Sequence, residues 1–258
     1  MNDKCRIGID VGGTFTDIVA VSDTGTVTFS KAASTPKDPS IGVMNAVERL
    51  ADELGINLET LLSKTESIVH GTTVATNALL ERKGAKTGLL TTLGHRDVLE
   101  MKEGLKDDRY NMRLPAPAPL VPRFLRLGVR ERIKPDGSIH TKLDDASLDE
   151  AINKLREEKV TSVAVCYLHA YKEPKHEQET KKVLEARLPG VSVSISSEVF
   201  PEIKEYERVS TTIVNAYVRP IVENYLNRLE GRLKNAGYKG SVLIILSHGG
   251  VAPIEEAI

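Results

Sequence analysis

The sequence predicts an α/β fold, and three observations predict it. Short β-branched runs separated by glycine turns occupy the first 32 residues, a helix of clear 3.6-residue periodicity follows them, and helical and apolar strand segments alternate regularly from Ser147. The composition agrees: of 258 residues, 40% are apolar and 28% charged, the balance of a globular protein with an ordinary core. A formal net charge of −1 gives no steering toward nucleic acid or an anionic membrane. The two cysteines, Cys5 and Cys166, lie beside β-rich runs and read as reduced core residues. The N-terminus has no apolar leader and no run approaches a membrane span, so a cytoplasmic chain is expected.

The elements follow in order. Ile7–Val11, Ile18–Val21 and Thr26–Ala32 read as a three-strand meander, turning at Gly12-Gly13 and at Asp23-Thr24-Gly25. Ser40–Leu54 is a helix, with Ile41, Met44, Val47, Leu50, Ala51 and Leu54 on one face and Gly55 as its C-terminal stop. Strand, strand, strand, helix opens a ribonuclease-H-like layer rather than a dinucleotide-binding unit. Ser67–His70 reads as a strand, residues 72–83 as a helix capped by Thr72 or Thr73 and ended by Gly84, and Lys86–Thr92 as a strand. Residues 102–123 hold four prolines among many charges and read as a long ordered loop or an interdomain crossing. Leu125–Ile133 and Ile139–Lys142 suggest a hairpin around Pro135-Asp136-Gly137. Beyond it come helix Leu148–Glu158, strand Ser162–Leu168, helix Lys175–Leu188 and strand Val191–Ser196. A long helix over Ile203–Ala236 then meets Pro220, which should kink or split it, before strand Ser241–Leu246 runs into Ser247-His248-Gly249-Gly250. The expected division is residues 1–142 and residues 143–258.

The stretch RIGIDVGGTFTDIVAV (Arg6–Val21) carries the most chemistry. No lysine follows its glycines and no helix opens after them, which excludes a Walker loop and a dinucleotide fingerprint. The bland account is a hairpin whose glycines supply positive φ angles. Against it stands Asp10, a carboxylate at the end of an apolar strand, where a hydrated Mg²⁺ on phosphate oxygens would use it. Thr14 and Thr16 add hydroxyls at the rim, the backbone N–H groups of Gly12 to Thr16, with Phe15 among them, can approach phosphate, and Asp17 can orient a water or a substrate proton.

This Asp-x-Gly-Gly-Thr-x-Thr-Asp turn in a meander resembles the first phosphate motif of the actin-like ATPase and sugar-kinase superfamily. HGTTVATNALLERKGAKTGLLTTLGHRDVLEM (His70–Met101), PLVPR (Pro119–Arg123) and SEVFPEIKEYERVSTTIVNAYVRP (Ser197–Pro220) are similar to the A subunit of the hydantoinase/oxoprolinase family, and the match runs over essentially the whole chain. The resemblance implies an actin-type ATPase lobe followed by a further α/β segment, with ATP and Mg²⁺ as cofactors. It implies ATP-dependent phosphorylation of an amide or ketone oxygen, because members hydrolyse cyclic amides and relatives carboxylate acetone or acetophenone. On it the turn is a hairpin that is also a phosphate cradle, with Asp10, Thr16 and Asp17 as catalytic candidates and Asp10 holding Mg²⁺ through water.

The resemblance also places His70-Gly71-Thr72-Thr73 on the active cleft, where a helix N-terminus offers N–H groups to a phosphate or a polarised carbonyl. The bland alternative is a capped helix with His70 packed beneath it, and Asn77 as a surface residue. Glu205 and Arg208 suit an ordinary i,i+3 helix pair, with a cleft role added only by the resemblance. Arg109 and Tyr110 sit in a charged loop that could cover a substrate. His95 and His248 lack a second ligand at metal spacing and read as structural. An actin-like ATPase needs a second phosphate motif, and none is legible after Pro253, so half of a nucleotide site is expected. A further C-terminal lobe and a B-type subunit would complete it. A non-catalytic assembly subunit is the competing reading.

Overall fold

A computed structural model describes residues 4–102, 104, 108, 110–114 and 118–257. The chain divides into two compact units, Met1–Glu81 with Ile221–Ile258, and Arg82–Pro220. The boundary expected after residue 142 falls inside the second unit, because strands from both sides of it pair in one sheet.

The first unit opens with strands β1 (Cys5–Val11), β2 (Phe15–Ser22) and β3 (Val27–Ala33), which form an antiparallel meander. In β1 the alternation is strict: Ile7, Ile9 and Val11 are buried while Arg6 and Asp10 are exposed, as a sheet with one covered face requires. Helix α1 (Pro39–Glu53) covers that face with Val43, Val47 and Leu50. It starts where the Asp38 carboxylate accepts from the Ser40 N–H and hydroxyl, with Pro39 in the first turn. It stops before Gly55, whose φ of +66° favours a residue without Cβ. The short helix α2 (Leu58–Lys64), capped by Asn57, goes beyond the sequence reading. Strand β4 (Thr65–Thr72) then pairs parallel with β1, and helix α3 (Val74–Leu80) follows.

The second unit holds β5 (Thr87–Thr92), the one-turn α4 (Val98–Met101), β6 (Arg126–Val129), β7 (Arg132–Ile133), β8 (Ile139–Thr141), α5 (Asp145–Glu157), β9 (Ser162–Cys166), α6 (Lys175–Arg187), β10 (Ser192–Ile195) and α7 (Ser196–Val199). Its four-stranded sheet runs β10-β9-β5-β6, all parallel. Each residue of β5 and β9 is buried, the pattern of strands covered on both faces. The hairpin expected over 125–142 is shorter than its sequence suggested. Only β7 and β8 pair antiparallel, whereas residues 126–129 join the parallel sheet beside β5 and send Val129 into the core. Of the charged loop, Arg109 lies outside the described residues, and Tyr110 is 93% exposed.

Helix α8 (Glu205–Asn235) runs without a break through Pro220, at which the two units divide. The chain then re-enters the first unit through β11 (Val242–Ile245), β12 (Val251–Pro253) and α9 (Ile254–Ala257). The complete first sheet is ordered β12-β11-β4-β1-β2-β3, with β1, β4 and β11 parallel, which is the ribonuclease-H-like arrangement expected from the opening meander. Cys5 and Cys166 are both free thiols, each buried in the core of its own unit. No helix among the described residues is long and apolar enough to cross a membrane.

Candidate functional site

Parallel pairing places the carboxyl ends of β1, β4 and β11 along one edge of the first sheet. The register sets Asp10 beside Gly71 and Val11 beside Thr72. Gly71 lies between Asp10 and the β11 end: a Cβ there would stand 3.5 Å from Asp10 Oδ1 and 3.5 Å from Ile245 Cδ1, in ordinary contact with both.

The β1–β2 turn is held from two sides. Gly12 N–H donates to the Phe15 carbonyl at 3.0 Å, the Ser34 hydroxyl donates to the Gly12 carbonyl at 2.8 Å, and Ser34 N–H donates to the Thr14 carbonyl at 2.9 Å. Neither Gly12 nor Gly13 has a positive φ, contrary to the hairpin expectation. What Gly12 provides is room, since a Cβ there would lie 3.2 Å from the Phe15 carbonyl oxygen. Gly13 faces the Asn77 amide, which a Cβ would approach to 3.7 Å. Asn77 in turn donates to Thr73 Oγ1 at 3.1 Å, and Thr73 is tied to the Val11 carbonyl by its N–H and hydroxyl, each at 3.3 Å. Thr72 Oγ1 accepts from Val74 N–H at 3.2 Å, while Thr73, the N-cap residue of α3, makes no side-chain cap bond and links to β1 instead. The structure thus brings Gly12, Gly13, Thr14, Thr73 and Asn77 onto one rim, with Asp10 and Gly71 directly behind.

Asp10 and Asp17 are cross-strand partners on the exposed face of the hairpin. Asp17 pairs with Lys31 at 2.9 Å, and the same ammonium lies 4.6 Å from the Phe15 ring centroid. Thr16 points the other way. It is fully buried and its hydroxyl engages Ser34 Oγ at 3.1 Å, so it braces the turn from beneath. His70 is also inside, as the bland reading held: its Nε2 meets the Tyr225 hydroxyl at 2.7 Å. Burial pushes its pKa down to about 4, against a smaller opposing pull from the backbone of Ile9, and leaves the ring neutral at pH 7. Glu205 and Arg208 belong to the second unit. Among the described residues no cluster of three or more His, Cys, Asp or Glu forms a ready metal cage.

One feature escaped the sequence, and a second, read there only as a loop that could face the cleft, gains its geometry from the structure. Ser34, eighteen residues beyond Thr16, fixes the turn through partners that only the β2–β3 pairing reveals. The 247–250 segment is a hairpin turn between β11 and β12, with Leu246 N–H donating to Gly250 O at 2.8 Å and Gly249 at φ +88°. It lies on the same strand edge as the glycine turn.

Sequence comparison matches residues 6–188 to the hydantoinase/oxoprolinase N-terminal region and residues 208–258 to a second hydantoinase/oxoprolinase segment. The chain belongs to the hydantoinase/oxoprolinase family. It is 41% identical over 250 residues to the caprolactamase alpha subunit of Pseudomonas jessenii, covering 96% of this chain and 36% of that one. It is 37% identical over 261 residues to the acetophenone carboxylase gamma subunit of Aromatoleum aromaticum, with coverage of 96% and 36%. The crystal structure of the ATP-dependent caprolactamase from P. jessenii superposes with a TM-score of 0.89, covering 96% of this chain and 36% of that chain. A nucleotide-free acetone carboxylase structure, 27% identical, does so at 0.88, covering 98% and 38%. The chain therefore spans a little over a third of the length of these hydantoinase/oxoprolinase relatives.

Proposed function

We propose that this protein carries the phosphate-binding part of an ATP-dependent amidohydrolase, which activates a cyclic amide by phosphorylating its carbonyl oxygen. One observation carries the reading: a glycine turn, a helix start with an amide side chain and an exposed carboxylate converge where three parallel strands end. The two similar structures, of an ATP-dependent caprolactamase and of the acetone carboxylase of ATP-dependent acetone carboxylation, support it.

In this reading the backbone N–H groups at Gly13 and Thr14 and the Thr14 hydroxyl hold phosphate oxygens, and Gly13 keeps the approach clear. Asn77 and Thr73 fix the second wall of the cradle. Asp10 fits the carboxylate that a hydrated Mg²⁺ takes beside phosphates, and the ion would neutralise charge developing on the transferred group. Asp17, steadied by Lys31, orients the attacking oxygen or a water. The protein supplies mainly position and electrostatics, as phosphoryl transfer requires. The remaining regions of a family member and a B-type subunit would supply the adenosine side and the amide chemistry.

The test is Asp10→Ala in the assembled enzyme. ATP turnover is expected to fall by about 100-fold or more while the fold persists. Near-normal turnover in a folded variant would remove Asp10 from the metal side and favour a non-catalytic assembly role. The 37% identity to an acetophenone carboxylase subunit favours a ketone substrate as the second reading. ADP release coupled to lactams and hydantoins, against ketones with bicarbonate, separates the two.

A further inference from the structure

The second unit holds a small cavity that the phosphate cradle does not use. In the order β10-β9-β5-β6 the chain leaves β5 toward β6 and leaves β9 toward β10, in opposite directions. Such a divergence opens a crevice at the carboxyl ends of the two strands, the place where open α/β sheets take ligands. A cavity of about 30 Å³ lies there, against Thr91 of β5 and residues 166–168 at the end of β9, walled by His95, Glu205 and Arg208.

Arg208 is 1% exposed. Its Nη1 donates to the Glu202 carbonyl at 2.7 Å and its Nη2 to the Tyr167 carbonyl at 3.2 Å, and its guanidinium carbon lies 5.3 Å from the Tyr171 ring centroid. All these partners are uncharged. Its Nε–H has no acceptor, and no carboxylate forms an ion pair with it among the described residues. A buried cation without a counter-charge is costly, and a bound anion removes that cost. Nearby, Arg132 Nη1 lies 3.1 Å from His95 Nε2. Burial first, and then the charge of Arg132, holds both His95 and His169 below the ordinary histidine pKa. The buried carboxylates close by are already engaged. Glu131 takes the Thr92 hydroxyl and His176, and Glu177 takes Tyr167 N–H, Ser196 Oγ and Ser197 N–H. Glu205 lines the cavity, and the charges of Glu131 and Glu177 also reach its walls at His95 and Cys166.

We propose that this cavity binds a trigonal oxyanion, the carboxylate of a small organic acid, with Arg208 Nε–H at its base and Arg132 beside its mouth. Among the described residues that line the cavity, Arg208 Nε–H is the one buried side-chain donor without an acceptor. The small volume of the cavity favours a compact anion.

The experiment is a titration of ¹³C-labelled acetate into the full-length protein at constant ionic strength, read as ¹³C line broadening, so it fails independently of ATP turnover. Saturable broadening is expected. Arg132→Gln should weaken binding about fivefold and Glu205→Gln should tighten it by a similar factor, the scale of a partly exposed charge. Arg208→Gln should abolish it; because that change strips donors from the Glu202 and Tyr167 carbonyls and can unfold the unit, the opposite signs of the other two variants decide alone. Displacement of acetate by bicarbonate supports the trigonal site and names the free ion as its source. Non-saturable broadening, equal displacement by inorganic phosphate, or changes of the same sign in Arg132→Gln and Glu205→Gln would overturn it.

Discussion

His70 stands next to Gly71 at the end of an apolar strand, yet its ring lies wholly inside the first unit against Tyr225. Its pKa drop from 6.5 to about 4 corresponds to about 3 kcal/mol of preference for the neutral ring. The unfolded chain takes up this proton near pH 6.5 and the native chain only near pH 4. The stabilisation is therefore complete above pH 6.5 and is lost as pH falls toward 4. In urea titrations followed by hydrogen exchange of the β4 amides, the wild type should lose that increment between pH 7 and pH 4.5, and His70→Gln should lose far less. Equal losses would show that another group titrates. The same logic separates the legible from the illegible residues of the site. Asp10 reads in the sequence as a carboxylate in costly apolar surroundings, but it alternates outward from β1 and is exposed, as Asp17 is on β2. Thr16 faces inward by the same alternation, and its bond to Ser34 depends on a pairing that residue spacing does not specify. Arg208 reads as a helix-surface charge by i,i+3 spacing, whereas its carbonyl partners come from the turn ahead of α8 and from the end of β9.

Periodic elements were readable because each carries its own signal. The meander, α1, α5, α6 and α8 follow from alternation or 3.6-residue spacing with caps, to within a few residues. Elements whose reason lies elsewhere in the chain were not. Gly84 reads as a helix stop, but α3 ends at Leu80, and Gly84 serves a different end. An added Cβ there would fall 2.0 Å from the Tyr217 ring, and the neighbouring Ala85 N–H donates to the Tyr217 carbonyl at 2.9 Å. The missing side chain lets α8 seat against the segment that leads into β5. Tyr217 is itself buried, so it has little room to yield. Gly84→Ala should destabilise the second unit by about 2 kcal/mol through overpacking, and Tyr217→Leu should recover part of that loss in the double variant. Thermal denaturation of the four proteins gives the coupling, and additive effects would mean that Gly84 and Tyr217 do not compete for one space.

At the scale of the whole molecule the cradle is assembled from three stretches far apart in sequence: the turn after β1, the start of α3 and the turn after β11. The first two flank residues that the family resemblance already marked. The third reads in the sequence only as a loop that could face the cleft, because 139 residues of a separate unit, Arg82–Pro220, lie between α3 and the return of the chain. Only the parallel pairing of β11 with β4, Val242 beside Ile68 through Ile244 beside His70, carries the 247–250 turn to the common edge. If ATP–Mg²⁺ binds this edge, all three stretches should respond together. Hydrogen exchange of the full-length protein is expected to slow by about tenfold at nucleotide concentrations tenfold above Kd, because opening must first release the ligand. The slowed amides should fall within residues 11–16, 72–78 and 246–250, against unchanged exchange on the outer strand β3. Protection of the first two stretches without the third would detach the β11–β12 turn from the nucleotide. Protection that misses residues 11–16 would return the glycine turn to a purely structural hairpin.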